Sequence, residues 1–520
     1  MEQLSGQDAS FVYMETRTTP MHIGSCAIYD PSTAPGGFVR FKDILRFIES
    51  RLDSARAFRQ RLVRAPLDVD HPYWIEDPEF DLEYHVRHFA LPKPGDWRQL
   101  CILTSRLHAR PLDMEKPLWE FNVVEGLDNI DGIPKGSFAV ISKVHHAAID
   151  GMSGVEMAAA VHDLTPDIPD RPASKPWKPE NMPNVAELLA RSYVNNITQP
   201  LRVVETIGRT LPGIARLGRE ISKGEISLKG ARTAPKTLLN AKVSPHRVFD
   251  AAMFPLKDIR AIKDTVPGAT VNDAILSIVG GGLRKYLKSR GDLPKSTMNA
   301  MAPISVRSEG EKKAMGNQVS AMVVALGTHI EDPVARLEFV HEQAQNSKAM
   351  TNAIGARTLA DYNKLMPAGI SGIAARLYTR MGVANAHSPA FNCVVTNIPG
   401  SPIPLYFAGA EMVATYSLGP VFDGMGLINA VYSYRGTIGI SFTSDRDMMP
   451  DPENYAAAMQ ETFEELKKAT LGTTSKKTGA KPKAKPATKS KAKTKPKAAA
   501  KTKPRKAAAK KKAPARKKAS

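Results

Sequence analysis

Two adjacent histidines, His145 and His146, followed at fixed offsets by Asp150 and Gly151, are the residues in this chain whose types and spacing best fit chemistry. A neutral imidazole, with an ordinary pKa near ~6.5, can take a proton around neutrality, which is what a hydroxyl or amine nucleophile requires. His146 is the candidate base, although either histidine alone would more often be a packed, internally bonded side chain. Asp150 reads first as an orienting group that caps the next helix or fixes the loop by an ion pair, ahead of any direct part in proton transfer. His145, His146 and Asp150 have ligand-type side chains, but no further His/Cys/Glu cluster supports a metal site. Neither a Gly-x-Ser-x-Gly elbow nor a phosphate-cradling Gly-rich loop occurs, which removes the main serine-hydrolase and nucleotide-kinase signals.

The elements that must position this pair are legible on either side. Ser137–Val144 is an apolar run that predicts a buried strand, and Ser153 with Glu156 forms a capping-box pattern that predicts a helix from about Ser153. The histidines are therefore expected just past a strand edge, with Asp150-Gly151 in the loop, where functional groups concentrate. The fold class expected is α/β. Residues 1–165 form a first α/β region, with Phe41 to Leu52 predicted helical. Residues 166–236 are a connector, opened by six prolines between Pro166 and Pro183, which exclude regular structure.

Within that connector Leu201, Val204, Ile207, Leu211, Ile214, Leu217 and Ile221 recur at helical spacing, with Arg202, Arg209, Arg216 and Lys223 every seven residues. Pro212-Gly213 predicts a kink there. This amphipathic segment reads either as a bridging helix packed on the body or as a surface for anionic lipid. Residues 237–474 are a second α/β region, with strands predicted at Val248–Phe254, Asn299–Ile304, Val319–Leu326, Asn392–Asn397 and Ile438–Thr443, and helices at Asn272–Lys288 and Pro333–Ser347. No short-period repeat suggests a solenoid or propeller.

The chain has 520 residues and a formal charge of +20, which resembles a nucleic-acid binder until the charge is located. Residues 475–520 hold 20 of the 72 basic side chains and no acid, so the other 52 basic residues balance the 52 acidic ones. The body is neutral, and the Lys/Ala/Pro-rich tail 475–520 is expected to be disordered, since it has no large apolar residue with which to build a core. Such a tail suits an anionic bilayer or nucleic acid, or simply keeps the protein solvated. Cys26, Cys101 and Cys393 are odd in number and widely spaced, which argues against a disulfide framework and structural zinc and suits a reducing compartment. No signal-peptide pattern opens the sequence and no stretch of 18 apolar residues occurs. The expectation is a cytoplasmic protein, with peripheral membrane contact left open.

His145-His146-x-x-x-Asp150-Gly151 resembles the shared signature of chloramphenicol acetyltransferase-like, coenzyme A-dependent acyltransferases, and further segments are similar to one branch of them, the bacterial wax ester synthase/acyl-CoA:diacylglycerol acyltransferases. These are Leu4-Ser5 through Phe11, Pro20-Met21-His22-Ile23-Gly24, Pro117-Leu118-Trp119, Asn272-Asp273 with Gly281-Gly282-Leu283-Arg284, Pro303 to Arg307, Gly316-Asn317-Gln318 and Thr396-Asn397-Ile398-Pro399-Gly400-Ser401-Pro402. The last departs slightly from the commoner Ser-Asn-x-Pro-Gly-Pro. Individually, Pro117-Leu118-Trp119 reads as a packed turn, Asn272 as a cap and Asn397 to Pro402 as a tight turn; their order as a set carries the resemblance.

The resemblance implies two chloramphenicol acetyltransferase-like domains with an interdomain tunnel, and acyl transfer from acyl-CoA, as substrate and without a further cofactor, to diacylglycerol or a long-chain alcohol. It implies His146 as base, with His145 and Asp150 holding the site and Asn272 arriving from the second half. Expected partners are the acyl-CoA and its acceptor, a membrane or lipid-droplet surface, and anionic lipid or nucleic acid for the tail. The competing classes are a lipid-binding, nucleic-acid-tethering protein with an inactive acyltransferase-like body, and a condensation-type enzyme acting on carrier-bound thioesters.

Overall fold

The computed structural model describes residues 1–149, 153–169, 179, 181–195, 233–305, 319–354 and 389–472. Asp150, Gly151, the amphipathic stretch 201–223, Val306-Arg307, Gly316 to Gln318 and the tail fall outside them, so the expectations placed there concern sequence alone.

Two six-stranded sheets organise the body. The first runs β12-β13-β2-β7-β6-β5, with β2 at His22–Asp30, β5 at Val86–Ala90, β6 at Trp119–Glu125, β7 at Phe138–His145, β12 at Tyr406–Phe407 and β13 at Ala410–Leu418. The second runs β10-β9-β11-β14-β15-β8, with β8 at Arg247–Pro255, β9 at Asn299–Ser305, β10 at Val319–Ala325, β11 at Cys393–Ile398, β14 at Leu427–Tyr434 and β15 at Thr437–Asp445. A small third sheet joins β1 (Glu2–Gln3), β4 (Tyr73–Glu76) and β3 (Gln60–Val63). The helices among the described residues are α1 (Gly6–Met14), α2 (Phe41–Glu49), α3 (Leu82–His85), α4 (Trp97–His108), α5 (Ser153–Ala160), α6 (185–195), α7 (Leu256–Lys263), α8 (Val271–Ser289), α9 (Pro333–Ile354) and α10 (Pro452–Leu471).

Each strand predicted in the second region is present within a few residues of its expected limits, as is α8, because their apolar residues form runs or helical stripes long enough to declare themselves; α9 starts at Pro333 as expected but runs past Ser347 to Ile354. Helix α2 stops at Glu49; Leu52, expected in the same helix, starts a separate 3-10 turn and remains buried.

The chain does not divide into two sheets by sequence alone. Strand β13, from the second region, pairs antiparallel with β2 and so extends the first sheet. Residues 1–474 accordingly cluster as one compact unit. An apolar cluster including Cys26, Ile28, Leu100, Ile141, Phe249 and Tyr416 fills the seam between the regions. Polar bonds cross there too: Trp97 Nε1 donates to Asp250 at 2.8 Å, and Arg247, anchored on Asp445, donates to the Thr18 carbonyl. No helix among the described residues is long and apolar enough to cross a membrane.

Candidate active site

Strand β7 is central in its sheet and buried along almost its whole length, its apolar start Phe138–Ile141 and Val144 packed in the core and Lys143 buried with an ion partner. Its last residue is His145, so this histidine belongs to the strand; its N–H donates to the Leu118 carbonyl at 2.9 Å. His146 opens a 3-10 turn, His146–Ala148, and its N–H donates to the Met21 carbonyl at 2.8 Å. Helix α5 follows from Ser153, as the sequence leads one to expect.

The two imidazoles are held differently. His145 is fully buried; its Nδ1 accepts the Ala147 N–H at 3.0 Å, capping the turn, and its Nε2 meets Glu15 Oε2 at 2.5 Å. A backbone N–H can only donate and a carboxylate here accepts, so the ring is Nε2-protonated and its one lone pair is occupied. His145 has no nitrogen left with which to take a proton. His146 is half-buried, with Phe11 stacked on its ring at 3.9 Å between centroids and 11° between planes. Its Nδ1 is buried and bonds no other residue among those described. Burial pushes its pKa down to about 4. A neutral ring with a buried nitrogen that bonds no other described residue keeps a lone pair available for a proton.

Phe11, Glu15 and Met21 come from one compact stretch. Helix α1 is capped by Ser5, whose Oγ accepts the Asp8 N–H, and presents Phe11 to His146. Glu15 caps its far end, and reciprocal backbone bonds between Thr16 and Thr19 return the chain so that Met21 reaches His146. Arg247, through the Thr18 carbonyl, clamps this turn from the second region.

Beneath the pair lies a second layer of buried polar groups. His22, opposite His145 in the β2–β7 ladder, donates through Nε2 to the His108 carbonyl, and His108 donates to the Gly419 carbonyl at 3.1 Å. Burial pushes His108 down to about 3 and His22 well below its ordinary value, so both rings stay neutral. Lys143 pairs with Glu120 at 3.1 Å and donates to the Leu107 and Arg110 carbonyls, closing the end of α4.

Pro117, Leu118 and Trp119 are all buried: Leu118 receives the His145 N–H, while Trp119 donates to the Phe58 carbonyl at 2.9 Å and stacks on His85 at 4.6 Å. This segment buttresses the end of β7 by packing. Asn272 is half-buried at the start of α8, and no hydrogen bond among the described residues joins it to either histidine. The cap of α8 is Thr270, in a reciprocal box with Asp273, which also pairs with His341 at 2.9 Å. Asn397 is exposed in β11 and extended, paired with Val431, where a turn is expected from the sequence. Pro399 is exposed, and Gly400 lies so close to Ser433 and the Tyr432 ring that a Cβ would approach the Ser433 carbonyl to 2.0 Å. Among the described residues, no group of three or more His, Cys, Asp or Glu side chains is arranged to hold a metal ion.

Residues 4–275 match the wax ester synthase/diacylglycerol acyltransferase catalytic domain, and residues 315–467 match the C-terminal domain of the same family. The chain belongs to this family. It is similar to a putative diacylglycerol O-acyltransferase of Mycobacterium tuberculosis, 31% identical over 468 residues and 90% of each chain. A putative diacylglycerol O-acyltransferase of Mycobacterium bovis is 34% identical over 478 residues, covering 91% of this chain and 100% of that one. The solved wax ester synthase/diacylglycerol acyltransferase from Marinobacter aquaeolei VT8 matches with a TM-score of 0.64 and 26% identity, over 91% of this chain and 100% of that one. The expected fold and enzyme class therefore hold: this is a mixed α/β acyltransferase.

Glu15 and the backbone of Met21 hold the candidate site, yet the sequence alone assigns them no role, and Phe11 enters it only as a letter in a family segment. Glu15 lies 130 positions from the histidine it bonds, and its local sequence carries no signal for that pairing.

Proposed function

We propose that this acyltransferase moves a long-chain acyl group from acyl-CoA to diacylglycerol, giving triacylglycerol, and that long-chain alcohols serve as a second acceptor, giving wax esters. The observation that carries the mechanism is the division of labour between the histidines: both nitrogens of His145 are engaged, whereas His146 keeps a basic nitrogen on a half-buried ring. His146 takes the proton of the acceptor hydroxyl as that oxygen attacks the thioester carbonyl carbon. The tetrahedral intermediate then expels the thiolate, the C–S bond breaks, and the imidazolium returns the proton to sulfur, leaving ester and free CoA. No acyl-enzyme forms, and the thioester itself supplies the activation, so no cofactor beyond the acyl-CoA substrate is called for.

Acyl-CoA and the acceptor would meet His146 in a passage between the two regions, with Asp150 shaping the loop beside it and Asn272 positioning the ring or the developing oxyanion. The Lys-rich tail would strengthen attachment to phosphate-bearing surfaces, a bilayer or lipid droplet facing the cytoplasm, or nucleic acid.

The test is labelled palmitoyl-CoA offered with dioleoylglycerol, hexadecanol or an amine. Triacylglycerol and wax ester are the expected products, with amide product pointing instead to condensation-type chemistry. His146→Ala is expected to lower the rate by roughly 10²–10⁴-fold, the usual contribution of a general base. A folded variant with near-parental turnover would overturn the assignment.

A further inference from the structure

Helix α6 is built the wrong way round for a helix at a protein surface. Its inner face is polar in its anchorage: Asn195 donates to Asp70 Oδ2 and to the Tyr73 hydroxyl, both at 2.9 Å, and Ser192 and Leu188 are buried against the body. Asn184 caps its start by accepting the Glu187 N–H at 2.8 Å. At 100° per residue, Val185, Ala186, Leu189, Ala190 and Tyr193 fall on one outward arc, and all are exposed. Val185 is 61% exposed, Leu189 44% and Tyr193 70%. The helix's charged side chains, Glu187 and Arg191, sit at the margin of the arc and neutralise each other at 3.0 Å. A surface helix ordinarily turns charge outward; this one turns a row of apolar side chains to solvent.

We propose that this outward face of α6 is the surface by which the enzyme seats itself on lipid, a reading that rests on the acceptor being the lipid-borne alcohol proposed above. Two observations choose that occupant. An 11-residue helix is about 16 Å long and roughly 10 Å wide, so its face offers on the order of 200 Å², far below the ~800 Å² per partner that a stable protein dimer needs. An apolar strip of that size is, however, ample for dipping into the boundary between headgroups and acyl chains, where tyrosine is favoured. Charge complementarity is the second observation. The sequence that continues from α6 bears Arg202, Arg209, Arg216, Arg219 and Lys223 against Glu205 and Glu220, a basic excess complementary to the phosphates of a phospholipid surface.

The experiment uses the full chain and sedimented phosphatidylcholine–phosphatidylglycerol vesicles carrying dioleoylglycerol. The triple variant Val185→Gln, Leu189→Gln, Tyr193→Gln is expected to lose vesicle binding by about tenfold or more, and turnover of vesicle-borne dioleoylglycerol with it. Its melting temperature and its acyl transfer to water-soluble hexanol are expected to match the parent's. A second variant, Ala190→Trp, places an indole in the arc, and its emission is expected to shift to the blue when vesicles are added. Parental vesicle binding by the triple variant, an indole that stays solvated, or a parental dimer that the triple variant dissolves in light scattering would each overturn the proposal. Hexanol turnover tests the chemistry separately: its absence in the parent would sink the acyl-transfer reading while sedimentation still reports on α6.

Discussion

Phe11 lies face-on against His146, with ring centroids 3.9 Å apart and planes within 11°. The stack fixes the plane of the imidazole, and the face of an aromatic ring also favours a neighbouring cation. In the proposed mechanism His146 becomes an imidazolium only between taking the acceptor's proton and giving it to sulfur, so Phe11 should matter most at that moment. Phe11→Leu is expected to lower kcat by about tenfold with KM little changed, and Phe11→Tyr to restore most of it. Steady-state kinetics with palmitoyl-CoA and hexanol check this; an unchanged kcat in Phe11→Leu would show that the ring merely fills space.

The low proton affinity of His146 sets the pH response. Its folded-state pKa is about 4, against an ordinary value of 6.5, so the base is already free of its proton across the neutral range. The kcat/KM profile is expected to be level from about pH 6 to 8 and to fall on the acid side toward pH 4. Stability follows the same direction. Where folding depresses a histidine's pKa, the unfolded chain binds more protons below pH 6.5, so stability is full above that value and declines as pH falls toward the folded pKa, about 4 for His146 and about 3 for His108. Thermal melting followed from pH 8 down to 4 should show a falling midpoint below about 6.5. Near-ultraviolet circular dichroism on the same samples separates loss of base from loss of fold.

Glu15 is expected to act through His145. Glu15→Ala leaves the His145 Nε2–H buried without its acceptor, at a cost of about 1–3 kcal/mol in stability, and frees the turn that delivers His146. Glu15→Gln keeps an acceptor oxygen in the same place and removes only the charge. Activity is therefore expected to fall in the order parent, Glu15→Gln, Glu15→Ala, through kcat and not KM. Equal loss in both variants would mean that the charge and not the hydrogen bond holds the site together.

How much of this was legible in the sequence depended on how far apart the partners lie. Strand β7 announced itself through the apolar run Phe138–Ile141 and Val144, and α8 and the strands of the second sheet did so through their own periodicity. Strand β13 did not reveal that it would join the first sheet, because pairing with β2 is decided by tertiary fit across nearly 400 positions and not by local pattern. The same holds within the site. The histidine pair could be read directly, yet its division of labour is set by Glu15, Phe11 and Met21, whose contact with it is created by the turn at Thr16 to Thr19. Pro117-Leu118-Trp119 was readable as a packed segment, but that its middle carbonyl receives the His145 N–H was not.

Helix α8 supplies a prediction in which two opposing magnitudes decide the sign. Gly280, Gly281 and Gly282 interrupt an otherwise good helix, and each glycine costs about 1 kcal/mol there relative to alanine. A Cβ on Gly281 would approach Thr462 Cγ2 of α10 to 2.3 Å and the Arg336 guanidinium of α9 to 2.7 Å. Thr462 is fully buried and its hydroxyl donates to the Ala458 carbonyl, while Arg336 is held by the Ile330 carbonyl, so neither side chain is free to swing aside. Overpacking of this kind costs about 1–3 kcal/mol, which exceeds the gain in helix propensity. Gly281→Ala is therefore expected to lower the melting temperature despite being the better helix former, and, because the helix that must shift begins at Val271-Asn272, to lower acyl transfer at temperatures well below melting. Calorimetry and the hexanol assay on one preparation check both; a variant more stable than the parent would show that α8 and α10 can part without cost.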